Sequence, residues 1–351
     1  MQKLKGFEAI NKTRSQGIIN ASWIRQIMAA YDSMGGSALE EFPYLEYWVT
    51  QDYVDRKWIR PIVDKGFERS GYMFLAANAR FANPAGLGKL YEEMMRAPTL
   101  RHGIGVLAFN ADQFDRELSY AFSNFRADEL SLGFDWVVSY RYKIGHKHHE
   151  QVSTVIHAAA LVKYFTAFHG DAPLAKDIWV ELDLPEHDVY LLNRAIGVPV
   201  SIGSANRVYM QAPYASRPSL HTGPNRWSEV LDNTTELTPK NWAGRVAMTV
   251  SCWDFTEGNK PTVEGVAEQL NLTPATLRNR LKPDYLLKDV MKEAEMRRVK
   301  NSLENGLTLK DAQSIYGYAN LRDLRACYKK YIGENIEKAK RSYVKNIGNF
   351  F

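Results

Sequence analysis

With only two cysteines in 351 residues, Cys252 and Cys327, the chain has too few thiols for a disulfide framework or a thiolate metal site. A reducing, cytoplasmic setting is expected. Runs of about 18 uncharged apolar residues are missing too, and the opening MQKLKGFEAINKTRSQG is basic with no apolar stretch behind it. Neither a membrane partner nor an export signal is expected. No GxxxxGK[ST] pattern occurs, and Gly86-Leu87-Gly88 is too short to cradle phosphates. No nucleotide site or other cofactor is therefore assigned. Histidine is sparse and poorly grouped for chemistry. His146, His148 and His149 crowd a lysine-bearing stretch with no further ligands at a recognisable spacing, which reads as a solvated turn. His157, His169 and His187 have no serine, cysteine or carboxylate nearby in the sequence that suggests a nucleophile or an acid–base pair. No catalytic or metal residue is assigned, and the chain is not expected to be an enzyme. Repeats at solenoid spacing and low-complexity tracts are absent as well.

What is present is ordinary globular material, 45% hydrophobic and 24% charged, in a chain long enough for two domains. Its net charge of +5 is unevenly placed. From Glu257 to Phe351 there are 18 Lys and Arg against 12 Asp and Glu, while the rest of the chain carries 27 against 28. The whole positive excess sits at the carboxyl end, as a polyanion-binding module joined to a neutral partner would place it.

Along the chain, Asn20 is expected to cap a helix carrying Trp23, Ile24, Ile27, Met28 and Tyr31, ended by Gly35-Gly36. Further helical patterns cover about 54–67, Leu87 to Met94, the stretch after Pro98-Thr99, and Gln151 to Phe168. Alternation through Leu118, Tyr120 and Phe122, then Leu130, Leu132, Phe134, Trp136 and Val138, predicts a β-hairpin around Arg126-Ala127-Asp128. Short strands are expected at 178–182, 198–202 and 208–211, and a proline-bearing stretch follows from Pro213 to Pro239.

The segment 262–282 carries the functional pattern. Val263, Val266, Ala267 and Leu270 form a short apolar stripe. Asn271 tolerates the left-handed turn, Thr273 caps a second helix with Pro274 at its first position, and Leu277 and Leu281 point back. This is a helix-turn-helix that leaves Ala275, Thr276, Arg278, Asn279 and Lys282 on the outer face. Residues 308–333 repeat the design. Thr308 and Asp311 make a capping-box-like start, Gly317 makes the turn, and Asn320 caps a helix with the stripe Leu321, Leu324, Tyr328 and Tyr331. Arg322, Asp323, Arg325 and Lys329 then face elsewhere. Between the motifs, Tyr285 to Leu303 reads as one connecting helix ended by Asn305-Gly306.

The stretch from Val266 to Leu281, the Gly317-Tyr318 pair and the run Tyr328-Lys329-Lys330-Tyr331-Ile332-Gly333 resemble the DNA-binding domain of AraC-family bacterial regulators, over about 257–343. The pattern departs from that family at Glu295, where an arginine is usual, at Arg322-Asp323-Leu324 in place of Ser-x-Phe, at Ile336 in place of proline, and in a shortened segment at 282–286. Tyr190, Gly197, Pro199, Val200, Asn206 and Pro218 are similarly placed to a segment of the longer, ornithine-regulator-like branch, whose amino-terminal domain is of the "arabinose-binding" type.

The fold expected is an α+β amino-terminal domain, helices plus a small and largely antiparallel sheet, followed by an all-α domain with two helix-turn-helix motifs and a connecting helix. Its division is 1–245 as a regulatory unit, 246–258 as linker and 259–345 as the DNA-binding unit. The DNA-contacting candidates are Thr273, Ala275, Thr276, Arg278, Asn279, Lys282, Asn320, Arg322, Asp323, Arg325 and Lys329. Tyr120, Phe134, Trp136 and Tyr140 are candidates to line a pocket for a small apolar or amphipathic effector, with plain core as the alternative. The function implied is a transcription regulator, an activator rather than a repressor. Its expected partners are double-stranded promoter DNA, RNA polymerase and a second copy of the chain. The other open reading is a sensor or enzyme whose carboxyl-terminal bundle serves only as a protein-interaction module.

Overall fold

The computed structural model describes residues 18–339 apart from 52, 88, 115–117, 125, 127, 137–146, 186–188, 221–226 and 234–241. Helix α1 (Ser22–Ser33) buries the expected stripe, and Gly35 follows it at φ +82°. Asn20 does not cap this helix. It is extended and pairs with Tyr53 in a ribbon of Ile18–Asn20 against Tyr53–Asp55, which leaves Ala21 at the cap with no side-chain bond. The ribbon also takes the start of the 54–67 pattern, so the helix there, α2, runs Arg60–Ser70. It is followed by α3 (Met73–Phe81), α4 (Lys89–Arg96) and α5 (Leu100–Phe114).

Helix α6 (Lys147–His169) is the centre of the amino-terminal region. Val152, Ile156, Ala159, Leu161, Phe165 and Phe168 are all buried, as befits a helix that is apolar all round and enclosed by its neighbours α2 and α3. Its first turn takes in His148 and His149, which are therefore helical rather than in a loop, although His148 is exposed. His148 stacks on Phe67 with ring centroids 4.1 Å apart, and His149 is buried. His146 lies outside the described residues.

Five strands form the sheet: β1 (Leu118–Asn124), β2 (Glu129–Trp136), β3 (Ile178–Leu182), β4 (Val200–Ile202) and β5 (Arg207–Gln211). Their order is β1-β2-β5-β3-β4, antiparallel except for the β3/β4 pair. The hairpin has the register its alternation implied, with Tyr120 opposite Phe134 and Phe122 opposite Leu132. A parallel pair cannot be joined by a tight turn, and helix α7 (Val189–Ile196) makes the crossover from β3 to β4.

Beyond the sheet come α8 (Trp227–Asn233) and α9 (Trp242–Ser251), tied where Trp227 Nε1 donates to Thr249 Oγ1 at 3.0 Å. The carboxyl-terminal region is all helical: α10 (Val263–Gln269), α11 (Pro274–Leu281), α12 (Leu287–Glu304), α13 (Leu309–Ile315) and α14 (Leu321–Ile332). Helix α12 packs on both α9 and strand β1, so the helical region rests directly on the sheet. Among the described residues no helix is long and apolar enough to cross a membrane, and no three or more His, Cys, Asp or Glu are grouped to hold a metal ion.

Candidate nucleic-acid interface

The first motif is built by two threonine caps and a left-handed asparagine. Thr262 Oγ1 accepts the Gly265 amide at 3.0 Å to start α10, and Thr273 Oγ1 accepts the Thr276 amide at 3.2 Å to start α11. Between them Asn271 has φ +54°, the one non-glycine residue with positive φ among those described. Val266, Ala267, Leu277 and Leu281 are buried where the two helices meet. Ala275, Arg278, Asn279 and Lys282 are exposed along the outer side of α11, with Thr276 half-buried beside them. None of the Arg278, Asn279 and Lys282 side chains has a hydrogen bond or ion pair among the described residues.

Arg280 takes a different direction. Its guanidinium lies 4.3 Å from the centroid of the Trp242 ring, on which Arg245 also sits at 4.8 Å, so it fastens α11 to α9. Sequence spacing alone gave no sign of this, because Trp242 is distant in the chain. A cleft of about 540 Å³ opens on the other side of α11, with Arg278, Lys282 and Lys288 around a floor that includes Val263, Leu287 and Met291. Lys288 is an exposed cation that the sequence pattern does not single out. Its place beside α11 depends on the chain reversing at 282–286, which residue types alone do not reveal.

The second motif starts with a side-chain cap that resembles a capping box. Thr308 Oγ1 accepts the Asp311 amide at 3.1 Å and donates to Asp311 Oδ2 at 2.6 Å. Gly317 turns the chain at φ +62°, and Asn320 Oδ1 accepts the Asp323 amide at 2.9 Å. Leu324 and Tyr328 are fully buried, while Leu321 and Tyr331 are half-buried. The five candidates on this motif are not equivalent. Asn320 and Asp323 hold each other, Nδ2 to Oδ2 at 3.0 Å, and Arg325 pairs with Glu337 at 2.7 Å. Arg322 and Lys329 are exposed and have no such partner among the described residues.

Between the motifs, Glu295 is buried, but its carboxylate is satisfied. Lys292 Nζ stands 2.8 Å from Oε2, and the Tyr318 hydroxyl donates to Oε1 at 2.7 Å. Burial, reinforced by the Glu295 charge, pushes the Tyr318 phenol far above its ordinary pKa, so this hydroxyl keeps its proton and remains a donor. Glu295 thus joins α12 to the turn of the second motif.

The aromatic candidates in the amino-terminal region lie apart from these faces. Tyr120 and Phe134 each bring their rings to 6.2 Å from His157, which also packs on Trp23 at 4.2 Å. The space beside Trp23, Tyr120 and His157 is about 10 Å³, the size of one water. Ser153, one helical turn before His157, brings its Oγ to 3.4 Å from Nδ1, inside the buried face of α6 rather than in a cleft. Trp136 closes β2 opposite Leu118, and Tyr140 lies outside the described residues.

No family model matches the chain, and no curated protein matches it. Among solved structures it is similar to the transcriptional regulator CdpR from Pseudomonas aeruginosa. The identity is 13% over 91% of this chain and 98% of that one, with a TM-score of 0.46. It is also similar to a DNA-binding transcriptional dual regulator from Escherichia coli K-12, at 16% identity over 30% of this chain and 96% of that one, with a TM-score of 0.27. Likenesses at this level carry no argument about function, which rests on this chain's own residues.

Proposed function

We propose that the chain is a sequence-specific DNA-binding transcription regulator, an activator of the AraC type, in which α11 and α14 enter successive faces of the major groove. One observation carries this reading. Two short helices, each capped by a side chain at its start, carry outward-facing Arg278, Asn279, Lys282, Arg322 and Lys329 with no partner among the described residues. Arginine offers paired donors to guanine and asparagine pairs with adenine, while lysine suits phosphate. Asn320 and Asp323 act mainly as the cap that aims α14, and Arg325 becomes available to DNA on leaving Glu337. Residues 1–245 are the regulatory unit, which takes a small effector or a second copy of the chain, and RNA polymerase is the partner of the DNA-bound form.

The test is a gel-shift comparison at fixed salt on a duplex selected from a random library. Arg278→Ala and Arg322→Ala should each lose about 1–3 kcal/mol for the selected site and relax its sequence preference. If both variants bind as the parent does, these helices are not the readers. An interaction module without DNA affinity would select no duplex at all.

A further inference from the structure

Residues 251–258 join the two regions and lie between two buried guanidinium groups. The Trp253 carbonyl accepts from Arg101 Nη1 of α5 at 3.1 Å and from Arg298 Nη1 of α12 at 2.9 Å, and Arg298 Nη1 also reaches the Ser251 carbonyl. Both arginines are 2% exposed. Arg101 is further bound to Asp254 at 3.1 Å and to Ser216 Oγ at 2.9 Å. Arg298 reaches across to β1, where Asn124 Oδ1 accepts from Nε at 3.2 Å and Nη2 at 2.8 Å, and it lies between the Phe122 and Phe255 rings. Burial, together with the charge of Arg298, pushes Arg101 down to about 10. Burying two guanidinium groups side by side is costly even with Asp254 beside Arg101, and both donate to the same Trp253 carbonyl.

What they hold, residues 251–258, is a strap whose side chains meet both motifs. The Trp253 ring covers Gly265 of α10, where a methyl group would stand 2.7 Å from its Cη2. The Phe255 ring packs on Tyr316 at the end of α13, with centroids 4.8 Å apart. Gly258 lies against Gly317, where a methyl group would come within 3.0 Å of the Gly258 carbonyl. The first motif is thus seated on one part of the segment and the second on another, while α12 holds the segment itself through Arg298.

We propose that residues 253–258 set the separation of the two readers and thereby determine which half-site spacing in duplex DNA the chain accepts, with Arg101 and Arg298 as positioning residues. This rests on the DNA-reading assignment above. One base pair more or less shifts a half-site by about 3.4 Å and rotates it by about 35°. A rigid seat rejects that change and a loosened one tolerates it. Because Arg101 belongs to α5, the amino-terminal region takes part in the selection.

The experiment uses the full chain and the duplex it selects from a random library, with one base pair inserted or removed between the half-sites, and a duplex carrying a single half-site. The parent should lose about tenfold in affinity when the spacing changes. Trp253→Ala and Phe255→Ala should discriminate by no more than about threefold, yet bind the single half-site as the parent does. Arg101→Lys leaves both rings in place and keeps the charge but not the planar fork, so it tests the same point without opening the core, and it should fall between the two. Folded variants that keep the parent's tenfold discrimination overturn the proposal. A parent that selects no duplex overturns the DNA-reading assignment, and the strap's role with it.

Discussion

Glu295, Arg280 and Arg298 show how residues that count as surface charge in the sequence become anchors once folded. Glu295 binds Lys292 and Tyr318, so the connecting helix stays fastened to the second motif. Arg298 belongs arithmetically to the basic excess, yet it is buried and occupied by Asn124 and the strap. Nothing local in the sequence separates it from Arg297, the exposed residue beside it, whose partner is Glu293 one turn away. Gly317 was legible as a turn but not as a close approach. Its φ of +62° and the Gly258 carbonyl within 3.0 Å of an added methyl group both disfavour any side chain. Gly317→Ala should therefore lower stability by about 1–3 kcal/mol, read as a shifted denaturant midpoint. An unchanged midpoint would mean that the strap does not press on this turn.

At the level of elements, the carboxyl-terminal helices were readable because their signals are local: Thr273, Thr308 and Asn320 each accept the amide three residues on, as their residue types suggested, and Thr262 does the same. The β1/β2 hairpin was readable for the same reason, since its alternation fixes the register. The ribbon that takes Asn20 from its capping role was not, because Tyr53 lies far along the chain. Helices α3 and α7 also escaped. Met73–Phe81 is apolar over most of its surface and shows no clear period, and the crossover helix sits in a stretch that draws attention to its turns. One contact between elements titrates. His102 on α5 lies 3.5 Å from Gln269 Oε1 on α10 and packs edge-on to Trp227. Burial, aided by the Arg101 charge and opposed by the Gln269 bond, lowers its pKa to about 4. A depressed histidine binds fewer protons folded than unfolded, so its contribution is complete above the ordinary value of about 6.5 and is lost as pH falls through 4. The melting temperature should drop more steeply over that window in the parent than in His102→Gln. Parallel curves would contradict a neutral His102 at this contact.

For the whole molecule, the helix-plus-sheet and all-helical halves follow the sequence pattern. What composition could not convey is how firmly the halves join. The stretch 246–258, expected as a linker, holds the second half of α9 and a strap gripped by Arg101 and Arg298. Every one of those contacts spans tens of residues or more in the chain, beyond the reach of periodicity. The central claim is that the two exposed faces bind duplex DNA through unpaired cations. It is tested most directly by titrating the full chain with labelled duplex from 50 to 200 mM salt and reading the slope of log affinity against log salt. With at least four unpaired Lys and Arg on the two helices, the slope should be about −3.5 or steeper, and Arg278→Ala should reduce it by about one. A flat slope, or no binding at 50 mM salt, would contradict the account.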